Sequence, residues 1–360
     1  LIELNEKLKI NQRREIIEFI KLKCKKAENF PHDFQIFTPN QIIDAKTGQI
    51  VECDPNVFNT TQIKYDYNEY AKSSKIDKYM LSTFRNLENV EAVYEFIGYT
   101  FMYGIKFRSA YILFGDSQSG KSTFLEIIRR LFHENSVCNL DIAVVEKDPR
   151  LAIKFADNLI NIADDISSKQ LTDGSIAKKL ISGDIFEIDR KHMSSVSFRP
   201  RATPIFTANK KPNFKLIAPE IISRFILFKF KRPKKIDPFL IDKFNDSDLE
   251  YLTFKSIEAI KRAVEKGELT QTNDMLEEKE IWIDEQSSVI LFVKSEFKNK
   301  VPQRAPQVWF YQKYSEFCVK NGINQIGKTD FNDTICSNYY KSLRQSTSSF
   351  DDNGNVMRFL

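Results

Sequence analysis

The sequence predicts an α/β fold with a central parallel sheet, because three short apolar segments each end in glycine or polar residues. The segments are YILF at 111–114, the run Leu159–Ala163 and PIF at 204–206. Short apolar runs without alternation are typical of parallel strands that are covered on both faces. Such sheets present ligand-binding groups at the carboxyl ends of their strands. We therefore expect the residues that follow these segments to carry the chemistry.

Helical periodicity dominates the segments on either side of the predicted sheet. Apolar residues recur at helical spacing from Leu1 to about Asn29 and from about Asn68 to Gly104. Residues Asp237–Glu285 are helical in pattern, polar and acidic. Between the first two helical segments, IFTPNQIIDAKTGQIVECDP predicts two short strands around a turn at Thr47–Gly48.

Composition bounds the class of protein. The 360 residues, 42% of them hydrophobic, are enough for two or three ordinary domains, and a net charge of +5 is too mild to indicate a partner. The five cysteines include no Cys-x-x-Cys pair, so neither a zinc site nor a disulfide framework is supported. No apolar run approaches the roughly 20 residues of a membrane span, and no signal-peptide pattern is present. We expect a cytoplasmic protein with no membrane partner.

The segment GDSQSGKS, Gly115–Ser122, fits the phosphate-loop pattern G-x-x-x-x-G-K-[ST] between a predicted strand and the predicted helix TFLEIIRRLF. Its backbone N–H groups can surround phosphate oxygens, Lys121 can neutralise the β and γ phosphates, and Ser122 can ligate Mg²⁺. A chance glycine turn that caps a helix is the alternative, although strand, loop and helix agree independently. The predicted ATP-binding residues are Gly115, Asp116, Ser117, Gln118, Ser119, Gly120, Lys121, Ser122 and Thr123.

A carboxylate pair follows the second predicted strand in NLINIADD. Nucleotide hydrolysis needs a carboxylate that holds the metal and a group that positions or activates water. We assign Asp164 to Mg²⁺ and Asp165 to the general base, with the reverse assignment still open. The alternative is a pair of aspartates that caps the following helix.

Two further candidates follow the carboxylates. Asn209, at the end of PIFTAN, could hold the lytic water or sense the γ phosphate. Because Asn209 and the two lysines after it are followed by Pro212, the aspartate of a guanine-reading Asn-Lys-x-Asp motif is missing, which argues against a GTPase. In IISRFILFKF, Arg224 lies in an apolar, strand-like run, where a charge is costly without a partner. We expect that partner to be a phosphate of a neighbouring subunit's nucleotide; an arginine that reaches solvent from a sheet edge is the alternative.

With these elements in this order, the chain resembles the superfamily 3 helicases, AAA+ motors of phages, plasmids, genomic islands and small DNA viruses. It is most similar to the helicase half of phage and plasmid primase-helicases, and to replication initiators of phage-related genomic islands. The resemblance runs from about Phe37 onward and includes DAKTGQIVECDP and LISGDIFEIDRKHM. It implies a homo-hexamer that binds ATP and Mg²⁺ and moves 3′ to 5′ on single-stranded and forked DNA. One departure is the Asp-Asp pair, where close relatives often show a single Glu.

A second motif of the resemblance lies in GDIFEIDRKHMSSVSFRPRATPIF. Alternating residues predict two strands joined near Lys191–Met193. The resemblance implies a hairpin whose tip grips single-stranded DNA in a central pore, and it assigns that role to Lys191 and His192; an ordinary exposed hairpin is the alternative. From Lys191 to Lys235 the chain has twelve basic residues and one acidic residue, Glu220, which favours a phosphate-facing surface over a merely solvated one.

The chain is therefore predicted to have four parts. Residues 1–95 form a helical and hairpin oligomerisation region, 96–236 the AAA+ core, 237–300 a helical lid or linker, and 301–360 a module that resembles a winged helix. In this last module QVWFYQKYSEFCVKNG predicts a helix that ends at Gly322, and Asn353–Gly354 predicts the tight turn of a hairpin. Binding of origin duplex DNA and a role in protein contacts are both open for it.

The leading interpretation is an ATP-dependent replicative DNA helicase or replication initiator that hydrolyses ATP between subunits. An ATP-regulated, origin-binding initiator without unwinding activity is the alternative. A phosphate-loop ATPase of unrelated purpose, such as a packaging motor or a kinase, is disfavoured by the hairpin motif and by the strand that carries Arg224.

Overall fold

The computed structural model describes residues 31–52, 57, 59–164, 174–189, 195–211, 219–233, 236–298, 300–301, 306–339, 348–350 and 356–358. The predicted helical segment from Leu1 to Asn29 lies outside these ranges. None of the described helices is both long enough and apolar enough to cross a lipid bilayer.

A small antiparallel sheet comes first, with strands β1 (Gln35–Phe37), β2 (Ile42–Asp44) and β3 (Ile50–Val51) side by side in that order. β2 and β3 enclose the predicted turn, in which Gly48 has φ +70° and donates its N–H to the Asp44 carbonyl at 2.8 Å. The two predicted strands are present, and β1 pairs with β2 as a third.

Helices α1 (Ser74–Phe84) and α2 (Leu87–Phe101) occupy the predicted helical stretch. Each begins at a polar cap: the Ser73 hydroxyl accepts from the Ile76 N–H, and the Asn86 side chain accepts from the Asn89 N–H. The caps satisfy backbone N–H groups that have no partner within the helix. A second helix can therefore start only two residues after the first one ends.

The central sheet has five strands, all parallel to their neighbours, in the order β10-β4-β9-β6-β5. Its members are β4 (Ala110–Phe114), β5 (Val137–Cys138), β6 (Ile160–Ala163), β9 (Thr203–Ala208) and β10 (Phe225–Lys229). The predicted α/β fold with a central parallel sheet is therefore confirmed. The three apolar segments of the sequence become β4, β6 and β9, the three middle strands.

Helices cover both faces of this sheet. Tyr111 and Leu113 of β4 face one hydrophobic core, and Ile112 and Phe114 face another. The first core is closed by α1, α2, α3 (Lys121–Arg130) and α8 (Asp246–Lys266). The second is closed by α4 (Ile142–Lys147), α5 (Lys154–Asp157), α6 (Gly174–Ser182), α7 (Pro219–Ile222) and α9 (Asn273–Gln286). Burial on both faces explains why these strands have no polar alternation.

The second predicted hairpin is also present. β7 (Phe186–Ile188) pairs antiparallel with β8 (Val196–Phe198), and the Phe186 and Phe198 rings stack with centroids 5.7 Å apart. Its tip, which carries the predicted DNA-binding residues Lys191 and His192, lies outside the described residues. The DNA contact of this hairpin stays a prediction.

A third core holds the C-terminal helices α10 (Ser288–Phe297), α11 (Gln307–Asn321) and α12 (Lys328–Tyr339). Phe292 packs between Phe310, Tyr314 and Phe331. α11 ends at the predicted Gly322, which has φ +64°. Strands β11 (Ser348–Phe350) and β12 (Val356–Arg358) then pair antiparallel. The predicted helix that ends at Gly322 is observed, and the strands on either side of the predicted turn at Asn353–Gly354 pair antiparallel. A winged-helix arrangement of these pieces stays a prediction.

The contact between α2 and α8 depends on Gly98. A Cβ atom at this position would lie 2.1 Å from the Ser256 carbonyl oxygen and 2.7 Å from Ile260 Cβ. Both neighbours belong to α8, so the two helix backbones approach too closely for any side chain. This contact joins the helices on either side of the phosphate-loop segment into one core.

We predict that Gly98→Ala lowers the free energy of unfolding by about 2–3 kcal/mol, because overpacking outweighs the ~1 kcal/mol gain in helix propensity. Urea unfolding followed by circular dichroism measures the change. Gly327→Ala is the matched control, since its Cβ would meet nothing nearer than Asp330 Oδ2 at 3.6 Å. Equal stability of the two variants would contradict the close approach of α2 and α8.

Candidate nucleotide-binding site

The segment Gly115–Gly120 connects the end of β4 to the start of α3, as the sequence predicts. Gly115, Gln118 and Gly120 have φ values of +150°, +62° and +95°. A Cβ on Gly115 would lie 2.1 Å from the Phe230 carbonyl oxygen, so this position admits only glycine. Gln118 holds the left-handed conformation without being glycine, a form of backbone strain that is typical of ligand-binding loops.

The Lys121 ammonium lies inside this loop. Its Nζ donates to the Gly115 carbonyl at 2.6 Å, to the Asp116 carbonyl at 3.0 Å and to the Ser119 hydroxyl at 3.3 Å. A fourth bond of 3.3 Å reaches Asn209 Oδ1. The amine is thus positioned by the backbone atoms of the turn, where it can exchange these oxygens for phosphate oxygens.

The strand order brings Asn209 to the loop. β9 lies directly beside β4, and the Gly115 N–H donates to the Ala208 carbonyl at 3.2 Å. Because β9 also separates β4 from β6, Asn209 lies between the loop and the end of β6, where Asp164 follows. The structure therefore gathers Lys121, Asn209 and Asp164 at the carboxyl edge of one sheet.

Asp164 follows β6 directly, and 58% of its side chain is exposed. Its carboxylate forms an ion pair with Arg129 Nη2 at 3.2 Å, on the helix that begins with Lys121. Ser122, at the second position of that helix, is exposed. A hydroxyl and a carboxylate are hard oxygen ligands that suit Mg²⁺, and Asp164 would exchange Arg129 for the metal. Asp165 lies outside the described residues, so its assignment as the base stays a prediction.

A cavity of about 800 Å³ opens beside the loop. The end of α1 lines one side with Tyr79 and Thr83, and the segment after β10 lines the other with Ile236 and Leu240. Its size and mixed lining are typical of sites for small organic ligands.

Three cations that we did not single out in the sequence also line this cavity: Arg85, Lys231 and Arg232. Arg232 donates from Nη2 to Gln118 Oε1 at 2.7 Å, and Arg85 enters from the end of α1 with φ +72°. Arg232 belongs to the basic run between Lys191 and Lys235. That run indicated a phosphate-facing surface but not which of its cations contacts the loop. No sequence pattern connected Arg85 with the loop, because the whole of α2 lies between them along the chain.

Arg224 differs in position from the sequence expectation. It lies in the turn before β10 and not within the strand: its N–H donates to the Ile221 carbonyl at 3.1 Å, and its carbonyl accepts from the Ala110 N–H at 3.0 Å. A charged side chain is tolerated there because the turn sits at the end of the apolar run. Its Nη1 is buried and makes no hydrogen bond with the described residues.

This turn is at the amino edge of the sheet, opposite the phosphate loop. The register pairs Phe225 with Ala110 and Lys229 with Phe114, so the length of β10 separates Arg224 from the level of Gly115. Five residues at about 3.3 Å each put roughly 16 Å between the two, well beyond the reach of an arginine side chain. The structure therefore does not bring Arg224 to the loop of its own chain.

Helix α9 contacts β10 at both of its ends. Glu278 forms ion pairs with Lys229 and with Lys211, the latter at 2.7 Å. Lys279 donates from Nζ to the Ser223 carbonyl at 3.0 Å and to Gln271. One helix thus holds the segment after Asn209 and the turn before Arg224. Burial lowers the pKa of the Lys279 amine to about 8.

Comparisons with known proteins agree with this architecture. A family profile described as a family of unknown function, DUF5906, matches residues 113–223, from the end of β4 to the turn before Arg224. No curated protein matches the chain. An A form apo structure of the NrS-1 C terminal region superposes with a TM-score of 0.52 at 13% identity over 82% of this chain and 77% of that one. A second apo structure of that region, residues 305–718, gives 0.49 at 13% identity over the same shares. The first likeness shows that the fold is shared.

The buried Lys279 generates a pH prediction. Between pH 8 and the ordinary lysine value of 10.5, the unfolded state binds more protons than the folded state, so stability rises with pH in that window. We expect the free energy of unfolding of the wild type to rise, relative to that of Lys279→Met, by about 1–2 kcal/mol between pH 8 and about 9.5.

Chemical unfolding at a series of pH values measures this difference. Every other titrating group is common to both proteins, so the subtraction isolates Lys279. Lys266→Met, at an exposed position in α8, is the control and should keep the wild-type profile. Parallel profiles for the wild type and Lys279→Met would show that this amine does not titrate in the window.

Proposed function

We propose that this chain is an ATP-driven DNA motor of replication, of the superfamily 3 helicase or initiator type. The observation that carries the proposal is the phosphate loop, in which the Lys121 amine is held among loop oxygens and within 3.3 Å of Asn209 on the adjacent strand. Triphosphate binding needs a cation inside a ring of N–H donors at a helix start, and nucleotide hydrolysis needs a polar group beside it.

The residues of the loop have distinct tasks in this proposal. The N–H groups between Gly115 and Ser122 bind the β phosphate, and Lys121 moves from the loop carbonyls to the β and γ phosphates. Ser122 and Asp164 would hold Mg²⁺, which neutralises phosphate charge and orients the γ phosphate. Asn209 orients the attacking water, and Asp165 accepts its proton.

ATP is the nucleotide that the chain supports best. The nucleoside would enter the cavity between α1 and the segment after β10, where Tyr79 and Leu240 supply apolar surface and Thr83 a hydroxyl. Pro212 stands where a guanine-reading motif has its aspartate, which disfavours GTP.

The position of Arg224 supports the proposal that several copies of the chain assemble around shared nucleotide sites. Its guanidinium is at the sheet edge opposite its own loop and carries a buried nitrogen that makes no hydrogen bond with the described residues. In this proposal a phosphate of a neighbouring subunit's ATP meets the partly exposed guanidinium of Arg224, whose positive charge stabilises the transition state. We propose that α9, through Lys279 and Glu278, keeps this turn in register with the segment after Asn209.

DNA is the proposed object of the motor. Along the chain, the β7–β8 hairpin comes after β6 and before β9, which is the order that the resemblance to superfamily 3 implies. Its tip would contact single-stranded DNA, and the resemblance supplies the hexamer and the 3′ to 5′ direction. The profile match and the shared fold support a common core but state no activity for it.

The direct test measures ATP turnover with and without single-stranded DNA, together with unwinding of a forked duplex. We expect DNA-stimulated hydrolysis and unwinding, and we expect Lys121→Ala to lower turnover about 100-fold or more, because it removes the charge at the transferred phosphate. Lys266→Ala, an exposed lysine, is the control. Turnover without unwinding would favour the origin-binding initiator, and no nucleotide-dependent activity at all would overturn the proposal.

A mixing experiment tests the shared pocket. Arg224→Ala alone should lower turnover roughly 10³-fold or more, whereas the exposed Arg262→Ala should not. In an equal mixture with Lys121→Ala, about one junction in four pairs an intact loop with an intact Arg224, so activity should partly return. If Arg224 acted on its own chain's nucleotide, the mixture would stay as inactive as either variant.

A further inference from the structure

A second cavity, of about 800 Å³, lies at the amino edge of the central sheet. We call it the basic groove and define it by Tyr103, Lys106, Arg108, Arg199 and Arg201. The residues before β4 and those before β9 form it, so the length of the strands separates it from the phosphate loop on the same chain. Nothing in the proposed ATP chemistry uses it.

The charge of the groove is strongly one-sided. Four cations face it, and the acidic side chains among its lining residues are Asp33 and Asp157. Asp33 Oδ2 lies 3.8 Å from Lys106 Nζ and partly neutralises it. Arg108 and Arg199 are exposed and form no ion pair with a described residue. Such a surface lowers the free energy of a polyanion that lies along it.

Arg201 is held as a stacking element. Its guanidinium carbon is 4.5 Å from the centroid of the Tyr103 ring, and its Nη2 donates to the Thr60 hydroxyl at 3.3 Å. The backbone N–H groups of Arg201 and Ala202 both donate to the Phe155 carbonyl. Arg201 Nε is buried and makes no hydrogen bond with the described residues. The contact with Tyr103 and the two backbone bonds hold Arg201 at the wall of the groove.

Turns with a left-handed backbone conformation contribute to the walls of the groove. Gly104 and Gly183 have φ values of +105° and +67°, and Arg108 has +50°. Arg199 Nη1 reaches the Gly183 carbonyl at 3.4 Å, which links the end of α6 to the segment that follows β8.

We infer that the basic groove binds the phosphodiester backbone of single-stranded nucleic acid. Arginine forks bind phosphate oxygens in pairs, and an aromatic–arginine stack offers a sequence-independent platform for a base. The four cations come from two separate segments of the chain, 106–108 and 199–201, so a strand that lies across the groove can meet cations from both. Ser197 and Phe198 of β8 line the same groove, so it continues from the base of the β7–β8 hairpin. The inference rests on the proposed function in this respect, because the hairpin is the element that is proposed to contact single-stranded DNA.

Fluorescence anisotropy with a labelled oligo-dT, at a series of salt concentrations and without nucleotide, tests the inference. Each of Arg108→Ala and Arg199→Ala should weaken binding about tenfold, the value of a charge-assisted hydrogen bond. In each variant the plot of log association constant against log salt concentration should also be less steep, with a slope about 0.7 smaller in magnitude. This is the effect of one lost phosphate contact on a single strand. The control Arg262→Ala removes an exposed arginine from α8 and should bind as the wild type does.

The variant Arg201→Lys separates the contribution of stacking from that of charge, because a purely electrostatic contact would leave its affinity unchanged. This variant keeps the charge but loses the planar stack on Tyr103, so affinity should fall while the salt slope stays constant. Thermal unfolding of every variant checks that the fold is intact.

Two results would overturn the inference. In the first, Arg108→Ala and Arg199→Ala both bind oligo-dT with the affinity and salt slope of the wild type. In the second, these variants bind oligo-dT as the wild type does but lose affinity for a fluorescent ATP analogue. Because the DNA titration contains no nucleotide, its outcome does not depend on ATP hydrolysis. Failure of the groove and failure of the proposed motor are therefore distinguishable.

Discussion

The contact between Gly115 and the backbone of Phe230 is the constraint on which the site depends. The Phe230 N–H donates to the Phe114 carbonyl at 2.7 Å, and the Phe230 carbonyl occupies the space of any Cβ on Gly115. The loop therefore begins only where β10 and β4 lie side by side with glycine at the junction. From that turn the chain reverses into α3, which places the Lys121 amine among the loop carbonyls and beside Asn209.

The parallel sheet divides the chemistry between two edges. Lys121, Asn209 and Asp164 lie at the carboxyl edge, whereas Arg224 and the basic groove lie at the amino edge. A strand of five residues separates the two edges by roughly 16 Å, so Arg224 cannot reach the phosphate-loop segment of its own chain. In the proposed motor, α9 links the two edges, since its residues bind both Lys229 and the Ser223 carbonyl at opposite ends of β10.

Much of this architecture could be predicted from the sequence, because the signals were local. Apolar runs with no polar alternation indicated β4, β6 and β9, and alternation indicated the β7–β8 hairpin. The phosphate loop was recognisable because its glycine positions and its lysine are close in sequence. The position of Asn209 beside Lys121 was less accessible, since the two residues are 88 apart in the chain and meet only because β9 pairs with β4.

Other features could not be predicted, because long-range packing creates them. Arg85 joins the cavity from α1 only because that helix packs on β10 and α3 through Phe84. Arg224 seemed part of a strand by composition, but β10 begins one residue later, where Phe225 pairs with Ala110. The pairing of Glu278 with Lys211 and Lys229 likewise required the position of α9, which no periodicity in the sequence specifies.

The most direct measurement is calorimetric titration of the chain with ATP in the presence of Mg²⁺, and with GTP for comparison. A loop that holds its lysine ready for phosphate predicts saturable binding of one ATP per chain, with GTP markedly weaker. The absence of binding heat with either nucleotide, under conditions where the chain is folded, would contradict the account at its centre.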